Sequence, residues 1–146
     1  MEITSPVFKD GGDIPTKYAC DGENINPPLV FSDIPVGTVS LLLKVEDPDA
    51  PGGTFLHWLI FDIPPEIGEI KENSRPDDSR AGINDSGLTD YNGPCPPEGT
   101  HRYIFTINAL DIMLDLPEGE TKREVNNWTD GHIIDSAELI GLYKKN

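Results

Sequence analysis

The stretch YNGPCPPEGTHRYIF, residues 91–105, is the most informative part of this chain. Its first half contains Pro94, Pro96 and Pro97, which have no backbone N–H and therefore do not fit inside a central strand or a helix. Its second half alternates polar and apolar residues like a half-buried strand that begins at His101. A stiff loop thus runs directly into a strand with a histidine at its start. This arrangement predicts a shaped loop beside a polar site.

Outward from this stretch, the sequence predicts mainly strands. Segments 29–34, 39–46, 54–62 and 101–110 are rich in β-branched, aromatic and leucine residues, and turn residues bound them. The segment ITSPVF, residues 3–8, predicts an edge strand. These strands indicate a mainly β fold class.

Helical signals are confined to the C-terminal part of the chain. Thr121 and Glu124 have the spacing of a capping box, which predicts a helix start. A second short helix is predicted over 131–138, ahead of a closing strand in LIGLY, residues 139–143. Many strands, few helices and long loops predict a β-sandwich of one domain, residues 1–146, with short helices at its periphery.

The charge of the chain excludes several classes of partner. Twenty-six acidic residues against eleven basic ones give a net charge of −15. Such a surface argues against binding to nucleic acid or to anionic membranes. No apolar run approaches the roughly 20 residues that cross a bilayer, so stable membrane insertion is not expected.

The cysteine content and the N-terminal residues indicate the cellular compartment of the protein. MEITSPVF has no basic stretch followed by an apolar one, so we expect a cytoplasmic protein. The two cysteines, Cys20 and Cys95, are too few for a disulfide scaffold and are expected to be reduced thiols. A bridge between them stays open, because both lie in loops flanked by proline or glycine.

Strand alternation places several polar residues together. Residues of one face share every second position, so one predicted face carries Phe55, His57, Leu59 and Phe61. Another carries His101 and Tyr103. Asp47 and Asp49 follow the end of the strand before them. If these strands are neighbours, the two histidines, the tyrosine and one or both aspartates meet at one end of the sheet, where the proline-rich loop arrives.

Such a cluster has the donors that an anion requires. Imidazole and phenol groups can donate to a phosphate or carboxylate oxygen, and a nearby aspartate favours the protonated imidazole. The alternative is structural: each histidine could be a packing residue, and the aspartates could satisfy loop amides.

Catalytic signals are weak. His57, His101, His132 and Cys95 have no spacing typical of a metal site, and no serine-nucleophile turn is present. Cys95 lies between two prolines without a helix N-terminus to activate it, which makes it a poor nucleophile. We therefore expect no metal, no cofactor and no enzymatic activity.

The motifs taken together resemble the phosphatidylethanolamine-binding protein family, also known through the Raf kinase inhibitor protein. YACDGENINPPLVF (18–31), DPDAP (47–51), LHW (56–58) and YNGPCPPEGTHRYIF (91–105) occur in the family's order, and GHIIDSAELIGLY (131–143) is similar to its closing helix and strand. Within the family the chain looks most like the compact bacterial and archaeal branch. The resemblance implies a large antiparallel sheet packed against a smaller one.

The resemblance also implies a pocket for phosphate-bearing head groups. Carried over residue by residue, the ligand-binding positions are Asp47, His57, His101 and Tyr103, with Pro94 and Pro96 in the wall near Gly93. The first expectation is a non-catalytic protein that binds small anionic or phosphorylated ligands. The alternatives are an inhibitor or regulator of a kinase or protease that acts through the same face, and a hydrolase with a histidine as general base. A homodimer stays open.

Overall fold

Two β-sheets pack face to face in the computed structural model, which describes residues 1–145. The elements, in chain order, are β1 (Glu2–Thr4), β2 (Gly12–Asp13), a 3-10 turn (Thr16–Tyr18), β3 (Leu29–Ser32), β4 (Ser40–Asp47), β5 (Phe55–Ile63), β6 (Glu69–Ile70), β7 (Arg80–Ala81), β8 (Thr100–Leu110), α1 (Lys122–Thr129) and β9 (Ile133–Lys144). The mainly β fold is confirmed, and the predicted strands match observed ones to within a few residues at their ends.

The larger sheet has six strands in the order β2-β9-β8-β4-β5-β7, and the smaller has three in the order β1-β3-β6. Neighbouring strands are antiparallel except β2 and β9, which pair in parallel. The long central strands β4 and β8 pair over almost their whole length, from Ser40 opposite Leu110 to Glu46 opposite Ile104. Consequently the end of β4 and the start of β8 lie at the same end of the sheet.

Alternation along β4 divides the core into two layers. Leu41, Leu43 and Val45 point to the face that packs on the smaller sheet, which we call the inner face. Leu42 points to the outer face, where Val125 of α1 covers it together with Leu114 and Leu116. Burying each such side chain stabilises the fold by about 1.5–3 kcal/mol.

The predicted helix start is confirmed. Thr121 precedes α1, and its Oγ1 accepts a hydrogen bond from the Glu124 N–H at 3.2 Å. Glu124 does not complete the capping box, because its carboxylate accepts from Trp128 Nε1 instead. Trp128 is 52% exposed.

The second predicted helix, over 131–138, is wrong. Gly131 has a φ of 81°, and the chain then runs into β9, which pairs with β8 from Ile133 opposite Leu110 to Lys144 opposite Thr100. This long pairing satisfies the backbone of the whole segment and overrides the local helical signal.

The expectation of reduced cysteines is also wrong. Cys20 and Cys95 form a disulfide with a Cα–Cα distance of 5.4 Å. The two positions are 75 residues apart in sequence, so only the packing of their loops brings them within bonding distance.

None of the helices in residues 1–145 has the length and apolar character needed to cross a membrane.

Candidate functional site

A β-bulge in β5 directs His57 into the end of the sandwich. Val45 pairs with Trp58 and Glu46 pairs with Leu56, so His57 has no residue opposite it on β4. The extra residue shifts the alternation by one position. His57 and Trp58 consequently both lie towards the inner face, and Leu56 lies on the outer face.

The bulge corrects one prediction from alternation. Leu59 and Phe61 were expected to share the face of His57, but both belong to the outer core layer. Phe55 does stay with His57, and their ring centroids are 4.9 Å apart. Bulges are common next to functional sites because they re-aim a single side chain.

His101 and Asp47 form a buried pair. His101 Nδ1 lies 2.7 Å from Asp47 Oδ2, and both side chains are less than a tenth exposed. The second carboxylate oxygen, Oδ1, accepts from the Asp49 N–H at 2.8 Å. Because a carboxylate accepts, Nδ1 of His101 carries the proton. Its Nε2 makes no hydrogen bond with the protein over residues 1–145 and is available to a ligand.

His57 is held in a defined tautomer by a loop. Its Nδ1 donates to the Asn92 carbonyl at 2.6 Å, and the Asn92 N–H returns a bond to the His57 carbonyl at 3.2 Å. Burial lowers the pKa of His57, and the carbonyls of Asn92 and Gly93 with the Asp47 carboxylate oppose that shift only in part. His57 is therefore neutral near pH 7, with Nε2 as its remaining nitrogen.

Asn84 supports this arrangement from behind. Its amide nitrogen donates to the carbonyls of His57 (3.1 Å) and Asp90 (2.9 Å). Its amide oxygen accepts from the N–H groups of Ser86 and Leu88. All the hydrogen-bonding capacity of this 5% exposed side chain is thus used to fix the bulge to the following loop.

Tyr103 supplies a hydroxyl without a partner. The side chain is fully buried, and within residues 1–145 its Oη is the one buried side-chain polar atom that forms no hydrogen bond. The Asp47 carboxylate and the Cys95 backbone lie close to it, but neither has bonding geometry. Burial, and secondly the Asp47 carboxylate, raise the pKa of Tyr103, so the group stays a neutral phenol able to donate.

These side chains surround a cavity of about 180 Å³. Its lining consists of Asp47, Ala50, Pro51, Phe55, His57, Asn92, Cys95, Pro96, Pro97, His101 and Tyr103. Of the six predicted site residues, the structure brings five to this cavity. Pro94 is not among the lining residues, and its carbonyl accepts a hydrogen bond from the Cys20 N–H at 3.0 Å.

The loop that carries the prolines is anchored through a close backbone approach at Gly93. The Gly93 N–H donates to Asn24 Oδ1 at 2.7 Å. A Cβ at this position would lie 2.2 Å from the Tyr18 carbonyl oxygen, so only glycine fits.

Asp49 was the second aspartate predicted near the cluster, but it does not line the cavity. It forms a two-pronged ion pair with Arg102, at 2.8 and 3.0 Å. The hydrogen bonds from Arg102 lower the pKa of Asp49 to about 2. This pair lies at the exposed start of β8 beside His101 and joins it to the turn that follows β4.

A larger groove of about 670 Å³ lies on the far side of Trp58 and Tyr91. It contains no histidine, and its cation, Arg75, is already paired with Glu118 at 2.7 Å. The smaller cavity has less volume, but it brings together two oriented histidines and a buried hydroxyl without a partner in residues 1–145. His132 pairs with Asp111 at the other end of β8, so it takes no part in the cavity.

The described residues contain no group of three or more His, Cys, Asp or Glu side chains placed to hold a metal ion.

A sequence profile of the phosphatidylethanolamine-binding protein family matches residues 4–144. The chain belongs to this family. Its relatives include the UPF0098 protein of Methanothermobacter thermautotrophicus, 47% identical over 150 residues that cover 99% of each chain. The UPF0098 protein of Aquifex aeolicus is 45% identical over 99% of this chain and 89% of its own.

Solved structures of bacterial members of the phosphatidylethanolamine-binding protein family have the same fold. A family homologue from Chlamydia trachomatis superposes with a TM-score of 0.95 at 42% identity, over 99% of this chain and 97% of that one. YbcL of Escherichia coli, described as a member of the mammalian family, gives a TM-score of 0.92 at 28% identity, over 99% and 98%. These relatives support the bacterial and archaeal branch that the motifs indicated.

Sequence reasoning missed several contributors to this cavity, of which four matter most for its shape and for the histidine. Phe55 and Pro97 line it beside predicted residues, Asn92 fixes the His57 tautomer, and Asn84 holds the loop. A signal existed for Pro97, which continues the proline run. No local sequence pattern indicates the roles of Asn84 and Asn92, because both roles depend on a loop that returns to the bulge in β5.

Proposed function

We propose that this protein binds small anionic ligands that carry a phosphate group, and that it does so without catalysing a reaction. The observation that supports this most is Tyr103, a residue of the cavity lining whose buried hydroxyl has no partner within residues 1–145. Leaving a buried hydroxyl unpaired costs about 1–3 kcal/mol. A ligand oxygen that accepts from it would remove that cost.

The two histidines of the cavity fit the same ligand. The Nε2 atoms of His57 and His101 border the cavity and have no partner in residues 1–145. Both rings are oriented through their Nδ1 atoms, so little ordering remains to be done on binding. The Tyr103 hydroxyl can donate to a phosphate oxygen directly, whereas each Nε2 donates only when its ring carries a proton on both nitrogens. A phosphate has enough acceptor oxygens for all three side chains.

The size of the cavity sets the ligand class. A volume of about 180 Å³ suits a phosphate group with a short substituent. It does not hold acyl chains. A head group or a free phosphorylated metabolite therefore fits better than a whole lipid.

Chemistry of the lining argues for binding rather than turnover. The lining has no serine, threonine or lysine, and its cysteine is held in the disulfide. A covalent intermediate on these side chains would need a histidine, Asp47 or Tyr103. Both carboxylate oxygens of Asp47 already accept hydrogen bonds, from His101 and from the Asp49 N–H, and burial keeps Tyr103 a neutral phenol. The regulator alternative needs an exposed apolar patch at the pocket mouth, but the large apolar side chains exposed within residues 1–145 are not among the lining residues.

Tyr103→Phe tests the proposal. Removing the unpaired hydroxyl should leave the melting temperature unchanged or raised, yet weaken binding of O-phosphoethanolamine by about 10- to 100-fold, because a hydrogen bond to a charged group contributes about 1.5–3 kcal/mol. Isothermal titration calorimetry and thermal unfolding give the two quantities.

Tyr91→Phe is the matched control. Tyr91 is also buried, but its hydroxyl donates to the Tyr18 carbonyl at 2.8 Å and lies outside the small cavity. This variant should lose about 1 kcal/mol of stability and keep its affinity. The proposal fails if wild-type protein shows no saturable binding of phosphate or O-phosphoethanolamine at millimolar concentration. It also fails if Tyr103→Phe binds as well as wild type.

A further inference from the structure

One wall of the pocket is tied to the fold by a disulfide. We call residues 95–99 the wall segment; Cys95, Pro96 and Pro97 within it line the cavity. Between the anchored residues on either side, the nearest polar contact of the wall segment within residues 1–145 is the Cys95 backbone close to the Tyr103 hydroxyl. Its connections to the fold are the burial of Pro96 and the disulfide from Cys95 to Cys20.

The chain on either side of the wall segment is firmly anchored. Before it, the Tyr91 hydroxyl donates to the Tyr18 carbonyl at 2.8 Å, and the Pro94 carbonyl accepts from the Cys20 N–H at 3.0 Å. After it, Thr100 pairs with Lys144 at the start of β8. Opening the disulfide would therefore release these five residues while the flanking structure keeps its bonds.

The two cysteines differ in exposure. Cys95 is an exposed residue, whereas Cys20 is half-buried. Exposed disulfides are the ones that small thiols reduce or exchange with most readily.

We propose that the Cys20–Cys95 disulfide is a thiol-exchange site that regulates the pocket, with small thiols as its substrate class. This inference rests on the proposed function, because the disulfide can regulate binding only if the pocket binds an anion. A thiolate RS⁻ attacks Cys95 Sγ, the S–S bond breaks, and its electron pair leaves on Cys20 Sγ, which takes a proton from water. A second thiolate attacks the R sulfur of the mixed disulfide, which releases the Cys95 thiolate and RSSR. Two electrons pass from the two thiols to the protein.

Reduction then lowers the affinity for the anion. With the bond intact, Cys95, Pro96 and Pro97 stand against the cavity before a ligand arrives. With the bond open, the segment samples other arrangements. If the competent arrangement falls to about one molecule in ten, the apparent affinity falls about tenfold.

The test compares oxidised protein with protein reduced by 2-mercaptoethanol. Calorimetry with inorganic phosphate measures affinity, and ¹⁵N relaxation measures the order of the Cys95, Glu98 and Gly99 amides. We expect order parameters near about 0.85 in the oxidised form and below about 0.6 in the reduced form, with core amides such as Phe105 unchanged. Phosphate should bind about tenfold more weakly after reduction. Peptide mapping of the partly reacted protein should place the mixed disulfide on Cys95.

Cys20→Ser supplies the control for effects of the reductant itself. This variant opens the bond without altering a pocket residue, so it should match reduced wild type and show no response to 2-mercaptoethanol. The inference is overturned if the wall amides keep their order on reduction, or if phosphate binds equally well to both forms. It is also overturned if the core amides lose their chemical-shift dispersion on reduction, since the reduced protein would then be globally unfolded. Absence of phosphate binding in the oxidised form would refute the proposed function, while the amide order would still decide whether the disulfide controls the wall.

Discussion

Anion binding at this pocket should be coupled to protonation of His57. Nδ1 of the ring is committed to the Asn92 carbonyl at 2.6 Å, so only Nε2 remains for a ligand. In the neutral ring that nitrogen is an acceptor and faces an anion with its lone pair. It becomes a donor only when the ring takes up a proton. One proton should therefore be bound with each anion.

The direction of the pH dependence of affinity follows from the lowered pKa of His57. Burial holds the pKa of His57 below its ordinary value of about 6.5, so the empty pocket contains a neutral ring at pH 7 and above. Above that pKa, affinity should fall about tenfold for each pH unit, or about 1.4 kcal/mol. In the ligand-free protein, the lowered pKa of His57 also makes the stability of the fold depend on pH. The stability that neutral His57 provides is complete above about pH 6.5 and is lost as the pH falls towards the folded-state pKa.

Sulfate is the suitable probe, because its charge does not change over this range. Calorimetry at pH 6.5, 7.5 and 8.5, repeated in buffers of different ionisation enthalpy, measures both the affinity and the number of protons taken up. The charged groups that act on His57 are Asp47 and Asp85, and His101 and Tyr103 border the same cavity. Any titration of those groups contributes to the slope in every variant.

His57→Gln isolates the contribution of the ring. Glutamine can donate through its amide but does not titrate, so log affinity should depend on pH with a slope that is shallower by one than in wild type. Equal slopes in the two proteins would refute the coupling. Zero proton uptake by wild type at pH 7.5 would refute it as well.

Two further substitutions test the supports of the pocket. Gly93→Ala places a Cβ 2.2 Å from the Tyr18 carbonyl oxygen. Because this clash can be relieved only by breaking loop contacts, we expect the free energy of unfolding, measured in urea, to fall by about 2–4 kcal/mol. Gly52→Ala, with no atom within 4 Å of the added Cβ, should change stability by less than about 0.5 kcal/mol; similar losses in both variants would contradict the steric argument. Asn84→Asp keeps the shape of the side chain, but it replaces two donated hydrogen bonds by repulsion between a carboxylate and the two carbonyl oxygens. We expect a loss of about 2–4 kcal/mol in unfolding free energy and weaker phosphate binding. Unchanged stability and affinity would show that Asn84 does not hold the bulge.

Local patterns were sufficient for most of the architecture. Segments 39–46, 54–62 and 101–110 are rich in β-branched, aromatic and leucine residues and are bounded by turn residues, and this composition predicted strands that the structure contains. The cap at Thr121 predicted α1, since the capping bond joins residues three apart. The same patterns, with the resemblance, pointed to Asp47, His57, His101 and Tyr103, which the structure brings around one cavity.

The departures arise where residues distant in sequence decide the outcome. Segment 131–138 becomes part of β9 because β8 offers a complete row of backbone partners. The bulge at His57 depends on its register with β4, which no local period records. The disulfide depends on two loops, 75 residues apart, packing together at Gly93. Local sequence carries the propensities and the chemical groups, but the register, the re-aimed histidine and the cysteine pairing exist only once non-local contacts fix their distances.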